Sequence, residues 1–409
     1  YDYVSRFHEC GRIKEPLTDD ALREADVLVI KVPSKSLTAD EVVAVMRFIN
    51  RGGGMLMVGD GSNRYGSAKV LNKLAWRLGC EIRHDVAMPI DPSRARGAPM
   101  GPRQIGRALD EFIAGFGQFQ PLAPHPIMQY VGPVVLAVLA GQGEQVAGGA
   151  TISYSTGRAV VLGTGLKSVS PFHSSLGVQP GDPDAPDIRC GAFAQIWAGR
   201  RGAGRVVAFA DASIFSNVSA FQPQRRELML GMLDWLNREN TFPDPQPVMA
   251  LIAAGLALLA LAATRPMNKA WPLAVGAAAL GWAGTMIATP AWNRAEMPPP
   301  KPARPIVQIA IDTGISDIRL PQDGVDPASY GPAREECAFG QFERSILRLG
   351  YFPRRSAEAG LLGDAFTGEP NAIVVIRPAG AVTDNHRRMI ERYVEAGGTL
   401  LVMDSPDSR

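Results

Sequence analysis

The stretch that decides the fold covers residues 25–60 and reads ADVLVIKVPSKSLTADEVVAVMRFINRGGGMLMVGD. It begins and ends with short runs, residues 27–30 and 55–58, that are apolar at every position, as strands of a parallel sheet covered on both faces must be. Between them, Thr38 precedes an amphipathic helix and is suited to cap it. This order of strand, helix and strand predicts a right-handed βαβ unit.

A second stretch, residues 371–405, repeats the pattern as NAIVVIRPAGAVTDNHRRMIERYVEAGGTLLVMDS. Thr38 corresponds to Thr383, and a Gly-Gly pair at positions 52–53 corresponds to one at 397–398, at a constant offset of 345 residues. Two generic βαβ units can look alike by chance, but the shared glycines fall where a helix needs a left-handed cap. The sequence therefore predicts two α/β domains with flavodoxin-like parallel sheets, related by an internal repeat.

The two copies divide the chain into four parts. We expect a first α/β domain at residues 1–243, a membrane segment at 247–290, a stiff Pro-rich spacer at 291–305 and a second α/β domain at 306–409. Each copy contains elements that the other lacks. We therefore expect the first domain to be truncated at its N-terminus and the second at its C-terminus.

Further elements of the first domain are predicted from periodicity and turn residues. Predicted strands lie at 134–139, 159–162, 192–198 and 205–210, and predicted helices at 67–78 and 225–237. The segment GRRGAG at 199–204 predicts a hairpin turn between the last two strands. A phosphate-binding loop is the alternative, but the GxxxxGK[ST] pattern is missing and no helix is predicted after the segment.

Two long uncharged runs, residues 247–264 and 271–290, predict a transmembrane helical hairpin. At about 1.5 Å per residue, each would span roughly 27–30 Å, the thickness of a bilayer core. Buried helices of a globular domain are the alternative. The short link between the runs puts both domains on one side, and its Arg265 and Lys269 place the link in the cytoplasm. We therefore expect a two-pass protein of the bacterial inner membrane, embedded in the lipid bilayer, with periplasmic or extracellular domains.

Composition excludes several functional classes. The 42 basic and 40 acidic residues give a net charge of +2, which supplies no reason to expect nucleic acid as a partner. The four cysteines form no CxxC pair and none lies at zinc-ligand spacing from a histidine. We therefore expect neither a metal nor a cofactor.

Polar residues cluster after two predicted strands of the first domain. In an open parallel sheet, ligands bind beyond the carboxyl ends of the strands, so these residues are candidates for a binding crevice. The candidate ligand-binding residues are Asp60, Gly61, Ser62, Asn63, His173, Asp211, Ser213 and Asn217. The simpler interpretation is that the Asp and Ser side chains cap the following turns and helices. No spacing requires a nucleophile and base to meet, so no catalytic residue is assigned.

Three runs of the first domain resemble the glutamine-amidotransferase-like domains of bacterial membrane proteins, akin to GldG-like auxiliary components of ABC transporters. The runs are LVI…P…LT…E…V..FI..GGG.L.VGD, GRVVAFADASIFSN and RELMLGMLDWLN. The resemblance covers roughly residues 15–240 and, less fully, 305–405. Class I glutamine amidotransferases carry a Cys in a G-x-C-x-G elbow and a downstream His-x-Glu. Here the elbow at 59–63 reads GDGSN, and no His-x-Glu occurs downstream of it.

That departure implies that amidotransferase chemistry is absent and that the scaffold binds a sugar, a peptide or a protein. We expect a non-catalytic accessory or partner-binding protein, with other membrane proteins such as transporter subunits as partners. The alternative function is a hydrolase that uses Asp60, Asp211 and His173.

Overall fold

The structure is a computed structural model. It describes residues 1–89, 125–131, 149–174, 177–180, 189–212, 215, 225–237, 270–316, 339–356, 361–362, 368–378 and 380–404, with scattered positions between 251 and 262.

The first βαβ unit forms as the sequence predicts. Strand β1 (Val27–Lys31) pairs in parallel with β2 (Gly54–Val58), and helix α1 (Ala39–Asn50) connects them. The helix begins in a capping box, in which Thr38 Oγ1 accepts from Glu41 N at 3.2 Å and Glu41 Oε2 accepts from Thr38 N at 2.8 Å. These reciprocal bonds satisfy two backbone donors that no helical carbonyl can reach.

The remaining strands of the first domain are mostly antiparallel. They are β3 (Cys80–Ile82), β4 (Val86–Pro89), β5 (Ile152–Tyr154), β6 (Arg158–Val169), β7 (Pro171–Ser174), β8 (Gly177–Pro180), β9 (Arg189–Arg201) and β10 (Gly204–Phe209). The main sheet has the order β1-β2-β10-β9-β5-β3, with β6 paired to β9 and β4 paired to β6. Strands β7 and β8 form a separate two-stranded sheet.

The prediction of a wholly parallel, flavodoxin-like first sheet is therefore wrong. Among the described strands of this sheet, β1, β2 and β10 run parallel to one another. The hairpin predicted at 199–204 is confirmed, since β9 returns directly into β10 with Arg201 opposite Gly204. A two-residue turn can join only antiparallel strands, so this hairpin reverses the direction of the sheet at β9. The predicted strand at 134–139 lies outside the described residues.

Helices cover both faces of the parallel part of this sheet. Helix α1 and helix α2 (Ser67–Leu78) pack on one face, where Met55 and Met57 of β2 are buried. Helix α3 (Arg225–Leu236) packs on the other face against Leu56 and Val58. Burial of β2 from both sides explains why this strand is apolar at every position.

The second domain contains a purely parallel sheet. Its elements are β11 (Gln308–Asp312), α5 (Phe339–Arg348), β12 (Phe352–Ser356), β13 (Ala372–Ile376), α6 (Asp384–Glu395) and β14 (Thr399–Met403). The strand order is β12-β11-β13-β14, and all three pairings are parallel. The chain therefore places β12 on one side of β11 and β13 on the other, which creates a topological switch point at β11.

The β13–α6–β14 unit has the geometry of β1–α1–β2. Ala372 lies opposite Thr399 as Val27 lies opposite Gly54, so both registers keep the 345-residue offset. In each unit, the residue after the first strand has a left-handed backbone conformation, with φ +44° at Val32 and +46° at Arg377. This conformation is rare for side chains other than glycine, and a proline is the next residue in both cases. Both backbone N–H groups donate to the neighbouring strand's last residue, at 2.8 Å to Val58 O and 2.7 Å to Met403 O.

The predicted transmembrane hairpin is wrong. No helix in the described part of the chain combines the length and the apolar character that a bilayer crossing requires. Helix α4 (Ala270–Glu296) continues beyond the predicted boundary at 290 into charged sequence, and Asn293 and Met297 at its end are buried. The predicted location in the bacterial inner membrane was based on this hairpin and is corrected with it.

The segment after α4 lies against the first domain. Gln129 Nε2 and Tyr130 Oη donate to Met297 O at 2.8 and 2.7 Å. Ala303 N donates to Arg6 O at 2.7 Å. The second domain is joined to the first through an apolar cluster, whose buried members are Tyr3, Phe7, Leu230 and Phe352.

Candidate functional site

Three charged residues lie at the carboxyl ends of the parallel strands of the first sheet. Lys31 ends β1, while Asp60 and Asp211 each lie two residues beyond the ends of β2 and β10. Because Lys31 and Phe209 both lie opposite Val58, the three strands end side by side. We call Lys31, Asp60 and Asp211 the carboxyl-edge cluster.

The three charges of this cluster interact. Burial lowers the pKa of the Lys31 ammonium, and the carboxylates of Asp60 and Asp211 act in the opposite direction by favouring its charged form. Lys31 Nζ also donates to Phe215 O at 3.3 Å, so the lysine holds the segment after β10 close to the end of β1. The cluster therefore combines electrostatic coupling with a structural contact.

Asp60 and Asn63 organise the turn after β2. Asp60 Oδ1 accepts from Gly61 N at 2.9 Å, at the start of a 3-10 turn, Gly61–Gly66. Asn63 adopts a left-handed φ of +53°, and its Oδ1 accepts from Lys69 N in the first turn of α2 at 3.2 Å. Asn is among the side chains that tolerate this backbone conformation best after glycine, and it satisfies a helix N–H from outside the helix.

The structure brings together some of the predicted site residues. Asp60 and Asp211 are half-buried at adjacent strand ends, and Gly61 is buried beside them. His173 lies on β7 opposite Val178 of β8, in the separate two-stranded sheet, and its side chain is outside the described part. The side chain of Ser62 and all of Ser213 and Asn217 are also outside the described residues.

Lys31 is the member of the cluster that the sequence analysis missed. The signal for it was a charged residue at the end of an otherwise apolar strand, directly before the Val32-Pro33 turn. Within the described residues, no group of three His, Cys, Asp or Glu side chains is close enough to hold a metal ion.

A second polar site that the sequence analysis missed lies at the carboxyl end of β11. Asp312 and His386 are 0% and 2% exposed, and His386 Nε2 lies 2.7 Å from Asp312 Oδ2. The contact is short but lacks the alignment of a hydrogen bond, so we describe it as a buried His–Asp contact. Asp312 Oδ1 accepts from Gly314 N at 2.7 Å. The pair therefore connects the switch-point strand to the first turn of α6.

The internal repeat explains why His386 points inward. It occupies the third position of α6, as Glu41 does in α1, and Thr383 Oγ1 accepts from His386 N at 3.0 Å as Thr38 does from Glu41 N. In α1 the glutamate completes its own capping box. In α6 the histidine instead contacts Asp312 on the neighbouring strand. The replacement of Glu by His at this position was the signal in the sequence.

Comparisons with known proteins identify no family. No family model matches the chain, and no curated protein matches it. Among solved structures, the mmIFT52 N-terminal domain is 14% identical, with 57% of this chain and 84% of that chain covered and a TM-score of 0.32. The cytoplasmic protein STM3548 from Salmonella typhimurium is 14% identical, with 55% and 76% covered and a TM-score of 0.24. These scores are too low to support an argument about fold or function, and they lend no support to the amidotransferase-like resemblance.

Proposed function

We propose that this chain is a non-catalytic accessory protein that binds a partner protein through the carboxyl-edge cluster. The supporting observation is the coupling of Lys31 to both Asp60 and Asp211 at the end of three parallel strands. Two carboxylates and one ammonium give the cluster a formal negative charge. A lysine or arginine side chain of the partner is the complementary group, because matched potentials direct encounter and fix register.

The accessory role agrees with the resemblance to GldG-like auxiliary components, which stays a prediction. It is also consistent with the chemistry of the turn after β2. Asp60 Oδ1 accepts a hydrogen bond from Gly61 N, so the backbone of the turn holds the carboxylate in one orientation. A carboxylate has about four lone-pair sites and can accept several hydrogen bonds at once, including one from a cationic donor.

The hydrolase alternative requires His173 to lie beside Asp60 and Asp211. Nothing in the described residues supports that convergence, because β7 pairs with β8 outside the main sheet. A nucleophile also needs a base at hydrogen-bond distance. Binding without catalysis is therefore the function we put forward.

Amide chemical shifts of the full-length chain, titrated with N-acetylarginine amide, test the proposal. We expect concentration-dependent shifts at Gly61 and Ala212, which flank the two carboxylates. N-acetylglutamate amide is the matched control and should produce none. The double variant Asp60→Asn, Asp211→Asn should abolish the shifts, because asparagine keeps the acceptor for Gly61 N but removes the charge.

Two outcomes would contradict the proposal. Equal shifts with the arginine and glutamate compounds would show that the cluster does not select a cation. Hydrolysis of a chromogenic ester or phosphate that disappears in the double variant would show that the carboxylates are catalytic.

A further inference from the structure

Three arginines lie on one face of the first sheet, close to the start of β10. Arg205 lies directly opposite Arg200 in the antiparallel pair of β10 and β9. Arg158 of β6 lies opposite Ala198, which is two residues before Arg200 on β9. Residues that lie opposite each other in an antiparallel pair share a face, as do residues two apart on one strand. The three side chains therefore share a face, and we call Arg158, Arg200 and Arg205 the arginine cluster.

Helix α3 covers this face of the sheet. Ala198 belongs to the apolar cluster that packs against α3. Arg205 Nη1 donates to Trp235 O at 2.6 Å, and the guanidinium lies 5.6 Å from the centre of the Trp235 ring. Arg205 is 7% exposed, Arg158 is half-buried and Arg200 is exposed. The cluster is therefore anchored under α3 at Arg205 and opens to solvent at Arg200.

The positive charges of the cluster act on one another and on a buried histidine. Burial, and after it the charge of Arg200, lowers the pKa of Arg205 to about 10. The ring of His125 lies 4.8 Å from that of Trp235. Burial holds the pKa of His125 well below its ordinary value, and all three arginines act in the same direction. Like charges that lie directly opposite each other destabilise a sheet, so an anion bound here would offset an unfavourable arrangement.

Asp234, the residue before Trp235 on α3, behaves as a carboxyl group in an apolar setting. Burial raises the pKa of Asp234 to about 6. A guanidinium beside this carboxyl would favour its charged form and lower the pKa. The shift therefore runs in the direction opposite to the one that pairing with the arginine cluster would produce.

We propose that the arginine cluster binds a doubly charged oxyanion, the dianion of inorganic phosphate or of a phosphomonoester. A guanidinium presents parallel N–H donors that match the oxygens of a phosphate or a carboxylate. One such group satisfies a planar carboxylate, whereas three groups from three strands suit an anion with more oxygens and more charge. Arg205 and Asp211 are six residues apart, roughly 20 Å along the strand direction. The site is therefore separate from the carboxyl-edge cluster and does not rest on the function proposed for it.

Amide chemical shifts of the full-length chain, titrated with sodium phosphate in a slightly alkaline, chloride-free buffer, test the proposal. We expect saturable shifts at Gly199 and Gly204, which flank the cluster. Arg200→Gln should weaken binding at least about ten-fold, because it removes a charge-assisted contact. Arg201→Gln is the matched control, since Arg201 is exposed and is the next residue on β9, where side chains point to the opposite face. It should weaken binding less than about two-fold.

Two further ligands define the class of anion. N-acetyl-O-phosphoserine amide carries the same dianion on a side chain. Binding of both phosphate compounds would assign the site to a phosphomonoester, and binding of inorganic phosphate alone would assign it to the free ion. Sodium acetate should bind at least about ten-fold more weakly than phosphate, because it brings one charge and two oxygens. Equal binding of acetate and phosphate would overturn the proposal.

Thermal melts separate anion binding from a structural role of Arg200. Without phosphate, Arg200→Gln should melt no lower than the wild type, because it relieves the repulsion of Arg205. Phosphate should raise the melting temperature of the wild type but not that of Arg200→Gln. A phosphate-free melting temperature of Arg200→Gln below that of Arg201→Gln would show that the fold itself uses this charge, and equal weakening of binding by both variants would place the anion elsewhere; either result would overturn the proposal. The variant Asp60→Asn, Asp211→Asn should bind phosphate normally, so failure of the carboxyl-edge hypothesis and failure of this one are distinguishable.

Discussion

Replacing His386 with alanine removes one partner of the buried His386–Asp312 contact. The remaining carboxylate of Asp312 is 0% exposed, and it keeps the hydrogen bond from Gly314 N to Oδ1. Its Oδ2 loses the group that lay 2.7 Å away. Removing one member of a buried pair costs about 3–5 kcal/mol, mostly because the other charge is left without compensation. We expect His386→Ala to destabilise the second domain by this amount.

The next residue on the same helix supplies the control. Arg387 lies 3.1 Å from Asp384, but the two side chains are 62% and 83% exposed. An exposed pair of this kind contributes about 0–1 kcal/mol, since water and salt screen the charges. Arg387→Ala occupies the same helical turn as His386→Ala, so effects of helix propensity and of the helix terminus are nearly matched. The two variants therefore differ mainly in whether the contact that they remove is buried or exposed.

Native-state hydrogen exchange at the amides of α6 measures both variants in the full-length chain. A loss of about 3–5 kcal/mol raises the opening equilibrium by about two to nearly four orders of magnitude, and a loss under about 1 kcal/mol raises it less than ten-fold. Adding Asp312→Asn to His386→Ala should recover part of the loss, because the buried charge is then removed. Equal losses for the two single variants, or no recovery in the double variant, would refute the reasoning.

Other predictions concern the first domain. The backbone hydrogen bond from Thr38 is the main cause that lowers the pKa of Glu41 below 4.5. The ionised Glu41 side chain therefore stabilises the fold above its unfolded-state pKa, and this stabilisation disappears as the pH falls through the folded-state pKa. Thermal melts of Glu41→Gln should therefore show a loss at about pH 7 that shrinks as the pH falls below 4.5, and a loss that does not change with pH would contradict this. Burial raises the pKa of the Cys80 thiol to about 12, so iodoacetamide at about pH 8 should modify exposed Cys190 and leave Cys80 intact until urea is added, as mass spectrometry would show. Asp60→Asn should be nearly silent in urea unfolding while Asp60→Ala costs about 1 kcal/mol, and equal losses would exclude the capping role.

Local signals predicted the βαβ units well. The helix predicted at 67–78 is α2, and it ends at Gly79 with a left-handed φ of +84°. The Thr38 cap was likewise visible in the sequence, since Glu41 lies at capping-box spacing from it. These features depend on neighbours within about four residues, so no knowledge of the tertiary structure was needed to find them.

Features that depend on distant partners were not predicted correctly. The apolar strand at 192–198 has the same pattern whether its neighbour is parallel or antiparallel, and only the pairing with β10 reverses the sheet. Hydropathy likewise depends only on the composition of residues 271–290. It does not indicate which contacts the residues after position 290 make. In the structure that helix runs on to Glu296, and Met297 is buried in the core beneath α3.

The two copies of the unit show where function is carried. They share the strand register, the Thr cap and the left-handed turn at Val32 and Arg377, and these are the features that build the scaffold. They differ at the third helical position, where Glu41 in α1 corresponds to His386 in α6. A shared scaffold constrains residues that fold it, so divergence is informative at positions that the scaffold leaves open. His386 is such a position, and the first sheet has the carboxyl-edge cluster at its strand ends. The repeat therefore separates the residues that fold the unit from His386, whose contact with Asp312 is specific to the second copy.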